Sequence, residues 1–353
     1  MSNEVTVPVK YAEVVMQWLN ELGYTHCFFV AGGNIMHLLD GARKTMTCIP
    51  TVHEVTAGIA AEYFNESNGD GRAFALVTAG PGVSNILTAM SGAWLESREL
   101  LVLAGQVKSS DLAGPTLRQR GIQEIDGVAL AHSVSVNAEC VIEPWTRRKL
   151  VDSLLSGRRG RPGPTFIEFC LDAQGAPVDL ADLEREPCDE TVGPASGHLV
   201  SADDHVEKVY HLTRKAKRPI WLIGGGVSRE TADLVKDRLL ATGIPLMTTW
   251  NGADRLPDDA ETYFGRPNTW GQRSANALLA QADLIVAFGT RLGLQQTGFN
   301  FQEFAPCADL VQIEIDENEL KKGHPIVDFP IQADANRLLS LLVDREYSDY
   351  STW

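Results

Sequence analysis

The sequence predicts an α/β protein of two tandem doubly wound domains with parallel sheets, and three observations carry that prediction. Apolar runs ending in Gly or Pro alternate with segments of helical period, the pattern of a parallel sheet covered by helices. The alternation fades in a polar, proline-bearing stretch near the middle and then restarts. The length, 353 residues, suits two domains that each bury a core.

In chain order, residues 9–22 read as an amphipathic helix with Val14, Val15, Trp18 and Leu19 on one face. Residues 26–30 read as a buried strand running into Gly32-Gly33, and 34–44 as a second helix. His53-Glu54 ends a further strand and opens the helical run 55–63. The short apolar strand 74–78 meets Ala79-Gly80-Pro81-Gly82, after which 83–94 carries small and apolar residues at helical spacing. Residues 100–105 repeat the theme, and 165–170 are the last strand-like run before the break. Residues 172–197 hold Pro177, Pro187 and Pro194 among many acids and read as a linker. A helix over 202–216 then leads to strands at 219–223, 245–249, 284–288 and 310–315. The expected boundaries are a first domain over 1–175, a linker over 176–197, a second domain over 198–343 and a polar tail over 344–353.

A net charge of -15 argues against nucleic acid, whose binders need a basic face. The six cysteines form no Cys-x-x-Cys pair and suit a reducing cytosol. No stretch has the form of a signal peptide or an apolar run long enough to span a bilayer, so a cytoplasmic protein without membrane contact is expected.

Three glycine turns follow three strands: Gly32-Gly33, Gly80-Pro81-Gly82 and Gly105-Gln106. Open α/β sheets gather ligands at such strand ends, where glycine lets a backbone approach closely. Glu54, set among apolar neighbours, can trade a proton with a bound molecule or can simply be a first-turn helix acid favoured by the macrodipole.

The order of His53-Glu54, then 75–85 with its Thr-Ala-Gly-Pro-Gly turn, then Ala104-Gly105-Gln106, then Gln123-Glu124-Ile125-Asp126 resembles the pyrimidine-binding domain of thiamine diphosphate enzymes, in their acetolactate synthase branch. The second half, with Gly224-Gly225-Gly226, 282–291 and 312–316, resembles that family's central domain. The resemblance implies that Glu54 hydrogen-bonds the cofactor's aminopyrimidine and activates it. Gly32, Gly33, Asn34, Thr78, Pro81, Gly82 and Asn85 would shape the pocket, and Gln123 would face substrate. It leaves room for a flavin (FAD) at Gly224, Gly225, Gly226, Arg291 and Asp316, although Gly224-Gly-Gly-Val-Ser-Arg229 is not a dinucleotide fingerprint.

Ala31, Val55-Thr56 and Val136 stand where acetolactate synthases carry Pro, a Gly-rich run and Lys, which directs expectation to a different acceptor. Gly69-Asp70-Gly71 has the letters of the family's metal motif without the later Asn pair, so it reads as a turn, and no metal ligand is expected in this chain. The resemblance covers pyrimidine and central domains only. It therefore implies a split enzyme: a homodimer of this chain within a hetero-oligomer, with a separate subunit carrying the diphosphate domain and its Mg2+, decarboxylating a 2-keto acid. The alternative is a non-catalytic oligomerisation or regulatory subunit.

Overall fold

The computed structural model describes residues 9–67, 71–190 and 202–351, so Asn68, Gly69 and Asp70 of the expected turn lie outside the described residues. The chain divides into two compact units, 1–193 and 194–353.

The first unit runs β1 (Val9–Lys10), α1 (Tyr11–Glu21), β2 (Tyr24–Phe29), α2 (Met36–Thr45), β3 (Thr47–Pro50), α3 (Glu54–Ser67), β4 (Arg72–Val77), α4 (Pro81–Glu96), β5 (Leu100–Gln106), α5 (Gly127–Ala131), β6 (Asn137–Val141), α6 (Arg147–Leu155), β7 (Pro164–Cys170), α7 (Leu171–Gly175), β8 (Pro177–Val178) and α8 (Leu180–Leu183). Among the described residues its main sheet has six strands in the order β3-β2-β4-β5-β7-β6, all parallel, beside an antiparallel β1–β8 pair.

Strand alternation sorts the side chains into two layers. Phe74, Leu76, Leu103 and Ile167 face one side, with Tyr11, Trp18 and Leu19 of α1 buried against them. Burying each such side chain contributes roughly 1.5–3 kcal/mol. Ala73, Ala75, Val77 and Ala104 face the other, against α3, α4 and α5. The predicted face of α1 is the buried one, and Gly23, at φ +88, follows its end.

The second unit runs α9 (Ala202–Lys215), β9 (Pro219–Ile223), α10 (Arg229–Ala241), β10 (Leu246–Thr248), α11 (Arg273–Leu279), β11 (Leu284–Phe288), α12 (Leu294–Thr297), β12 (Asp309–Glu314), α13 (Glu317–Lys321), β13 (Phe329–Gln332) and α14 (Ala335–Leu342). Its described sheet has five parallel strands in the order β10-β9-β11-β12-β13. Trp221 anchors the core, with its ring 5.2 Å from Phe288 and 5.5 Å from Tyr347.

Two sequence expectations are corrected here. Much of the stretch expected to be a linker belongs to the first unit: β8 pairs with β1, and Glu184 accepts a 2.7 Å hydrogen bond from Trp18 Nε1. Acids of this stretch are ion-pair partners, Glu190 at 2.7 Å and Glu184 at 3.5 Å from Arg147, and Glu186 at 3.2 Å from Arg148. The expected polar tail also docks. Tyr350 is buried and donates to Thr213 O at 2.8 Å, while Tyr347 packs edge-on against Trp221 and Tyr210. Strands β6 and β13 escaped the sequence pattern because they are edge strands without an apolar run, β6 mostly half-buried and β13 with two of its four residues exposed.

Among the described residues no helix is long and apolar enough to cross a membrane.

Candidate active site

In the first unit the chain passes from β2 to β3 on one side, then returns to β4 on the other side of β2. The connections after β2 and β4 thus diverge at their carboxyl ends, the topological switch point where such sheets bind ligands. Glycine lines this crevice for a steric reason. A Cβ on Gly32 would lie 2.4 Å from Thr78 Cβ, and one on Gly105 would lie 2.1 Å from Asn34 O. The segment Gly32–Asn34 is therefore wedged between Thr78 and β5. It is fixed by Asn34 N donating to Thr78 Oγ1 at 3.4 Å and Gln174 Nε2 donating to Asn34 O at 2.7 Å.

Helices α3 and α4 both start at this edge. They lie close because a Cβ on Gly58 would come within 2.5 Å of Ala89 Cβ and 2.8 Å of Ile86 Cδ1. One turn earlier in each helix stand Glu54 and Asn85, and there Asn85 Nδ2 donates to Glu54 Oε2 at 2.9 Å. Glu54 is 8% exposed. Its Oε1 accepts no hydrogen bond among the described residues and faces Gly82, where a Cβ would stand 3.6 Å away. His53 caps α3: its Nδ1 accepts from Val55 N at 3.2 Å, which places the neutral ring's proton on Nε2. Pro81 is the exposed first residue of α4, where a missing N–H costs nothing, and Gly33 is open.

Gln123 reaches the same place from a distant loop. Its φ is +62, and the Gly80 turn, φ +66, fits beneath it so tightly that a Cβ on Gly80 would lie 2.5 Å from Gln123 O. The neighbouring Glu124 anchors the loop by accepting from Arg120 N at 2.8 Å, Gly121 N at 2.9 Å and Ala113 N. Burial opposes its ionisation, yet these three donors together hold its carboxyl below the ordinary value. Structure thus brings Gly32, Gly33, Asn34, Glu54, Thr78, Pro81, Gly82, Asn85 and Gln123 to one strand-end crevice.

Sequence reasoning named Gln106 only as part of the Gly105-Gln106 turn and gave neither it nor Glu168 a role; both lie behind this loop. Gln106 Nε2 donates to Ile125 O at 2.9 Å and to Glu168 Oε2 at 3.3 Å. Burial, with the Asp126 charge adding to it and the Gln106 hydrogen bond opposing it, pushes the Glu168 carboxyl up to about 7. The available signal was a lone charge inside the apolar run 165–170.

The second-unit glycines have a different explanation. The N–H groups of Gly224 and Gly226 donate to Phe288 O at 2.8 Å and Gly289 O at 2.9 Å. A Cβ on Gly224 would lie 2.2 Å from Gly289 O, so backbone packing between two strand-end turns accounts for these residues. Asp316 caps α13 through Asn318 N at 2.9 Å, and Arg291, its side chain exposed, accepts at its carbonyl from Lys322 Nζ. Of the three glycines, Gly224 and Gly226 thus have their N–H groups spent on Phe288 O and Gly289 O, and Gly225 packs against Asn251, so a flavin's phosphates would not meet three free N–H groups here.

Residues 9–130 match the family of the thiamine pyrophosphate enzyme, N-terminal TPP binding domain, and residues 206–342 match the thiamine pyrophosphate enzyme, central domain. The chain is 28% identical to the probable acetolactate synthase large subunit of Methanocaldococcus jannaschii, over 98% of this chain and 58% of that protein. It is 27% identical to the acetolactate synthase large subunit of Corynebacterium glutamicum, over 97% of this chain and 54% of that one. It is 29% identical to the acetolactate synthase isozyme 2 large subunit of Escherichia coli, over 94% and 58%. The chain therefore spans a little over half the length of these curated relatives.

Two outcomes follow from the geometry. Gly58→Ala pushes α3 off α4 and should destabilise the first unit by about 1–2 kcal/mol despite its better helix propensity. Gly92→Ala, whose Cβ meets nothing within 4 Å, should stabilise it by up to about 1 kcal/mol. Thermal melts of the two variants should therefore shift in opposite directions.

The raised Glu168 carboxyl holds its proton in the fold after the unfolded chain has lost its own. The fold is thus favoured in acid, and that advantage is lost as pH rises from 4.5 through about 7. Wild type should lose roughly 3 kcal/mol relative to Glu168→Gln across that window, read by urea unfolding at each pH.

Proposed function

Because the chain belongs to the thiamine pyrophosphate enzymes, we propose that it is one subunit of a two-chain thiamine diphosphate-dependent carboligase/decarboxylase acting on a 2-keto acid, with pyruvate the default donor. The observation that carries this reading is the Asn85–Glu54 hydrogen bond, 2.9 Å long, at the strand-end crevice. It occupies one carboxyl oxygen and orients the other, Oε1, toward the pocket.

The residues fit the cofactor's aminopyrimidine. Oε1 is the uncommitted oxygen of a largely buried carboxyl, open to the crevice, beside a helix start that carries glycine at position 82. Glu54 would hold or accept a proton at Oε1, Asn85 would keep the carboxyl plane fixed, and Gly32, Gly33, Asn34, Thr78, Pro81 and Gly82 would bound the ring. Bound thiamine diphosphate would supply the carbon nucleophile needed for decarboxylating a 2-keto acid and for acyl transfer to a carbonyl acceptor. Gln123, exposed at the rim, would meet the substrate.

The diphosphate and its Mg2+ are assigned to a separate subunit, with this chain forming a homodimer inside a hetero-oligomer. Support comes from the apolar residues left exposed around Glu54 and Gln123: Val52 is 98% exposed and Ile122 81%, as suits a surface that another polypeptide covers.

In the enzyme reconstituted with a chain bearing the diphosphate domain, Glu54→Gln should lower carbon dioxide release from 2-keto acids by about 100-fold or more. Undiminished turnover would refute the role of Glu54. If the wild-type pair releases no carbon dioxide from any 2-keto acid, the chain is instead a non-catalytic subunit. On a sizing column the wild-type chain should co-elute with that partner, and separate elution would refute the two-chain assembly.

A further inference from the structure

Loop 121–127 touches the body of the first unit at three close approaches. A Cβ on Gly121 would lie 2.5 Å from Val107 Cγ1, Gln123 covers Gly80, and a Cβ on Gly127 would lie 2.4 Å from Glu168 Oε2. Beneath it, Gln106 and Glu168 form a polar island in the mostly apolar layer that packs on α4, where Ile86, Ala89, Met90 and Ala93 face the sheet. The proposed chemistry uses neither residue.

We propose that Glu168 is a positioning residue: together with Gln106 it seats loop 121–127, and its protonation state sets how firmly Gln123 is held beside the Gly80 turn.

The Gln106 amide has two hydrogens to share, one to Ile125 O and one to Glu168 Oε2. The bond to Ile125 is the shorter of the two, 2.9 Å against 3.3 Å, and a neutral Glu168 carboxyl would lie against the Gly127 backbone without net charge. Ionisation turns the Glu168 contact into a charge-assisted bond, which draws the amide away from Ile125. It also sets a second negative charge near Asp126, whose carboxylate caps α5 through Ala129 N at 2.9 Å. Both effects loosen the loop where Ile125 and Asp126 join it to α5.

The other titratable group against Glu168 is Cys140 on β6. Its contact with Cys170, 4.0 Å away, and its burial push that thiol far up, so it stays a neutral donor. Gln106 on β5 and the Val128 N–H of α5 are neutral as well. Because the Glu168 carboxyl titrates at about 7, both states are populated near neutral pH.

The proposed function enters only in giving Gln123 a place at the substrate. Hydrogen exchange on the cofactor-free chain therefore tests the loop whatever the reaction proves to be. Amide exchange of 121–127, corrected for intrinsic rates, should show about tenfold less protection at about pH 8 than at about pH 6 in wild type, with a midpoint near 7 and with β4 unchanged. Glu168→Gln should be protected equally at both. Three results would each overturn the inference: equal protection of the wild-type loop at both pH values, the same loss in Glu168→Gln, or a loss shared by β4. The wild-type profile decides alone if the variant does not fold.

Discussion

Everything at the candidate site depends on how closely α3 and α4 approach. The missing side chain at Gly58 and the small one at Ala89 let two helices with the same direction come together one turn into α3 and two turns into α4. Glu54 and Asn85 then meet as a consequence of helix periodicity. The sheet beneath is built to match: Ala73, Ala75 and Ala104 present a shallow surface, so the helices can sit low and bring their first turns to the strand ends. A carboxylate placed there has one oxygen committed to an amide and the other directed to the crevice.

The remaining pocket is assembled by close approaches to glycine backbone. Gly105 admits the Asn34 carbonyl, Gly80 admits Gln123, and Gly32 admits Thr78. Each contact joins segments far apart in sequence, so the crevice is rigid without large side chains lining it. In the second unit the same device serves another end: Gly224, Gly226 and Gly289 lock two turns together, with their N–H groups spent inside the protein. Similar glycine clusters at equivalent strand ends thus do different things, and only the hydrogen-bond partners tell them apart.

A buried carboxyl behind a loop is costly unless something offsets its desolvation. Glu168 has only an amide, a thiol and one N–H, against Glu124 with three backbone donors. One acid lies within the loop and the other behind it, and they titrate in opposite directions from their ordinary values. The loop that carries Gln123 therefore has one permanently charged anchor and one whose charge changes near neutrality.

The sequence alone determined the architecture, because alternation of apolar strand runs with amphipathic helices is a local pattern and each run is long enough to be read. It also singled out Glu54, the Gly80–Gly82 turn, Asn85 and Gln123, which stand in an order that one family shares and which the fold brings to one strand-end crevice. Edge strands β6 and β13, the docked segment around β8 and the buried Tyr350 were not legible, because their stability comes from partners distant in sequence rather than from their own pattern. The tertiary structure alone decided that Glu54 pairs with Asn85, that Gln123 rests on Gly80 and that Glu168 lies behind the loop. Each of those facts is a contact between separate elements, fixed by packing distance, and packing distance is not written in any one segment.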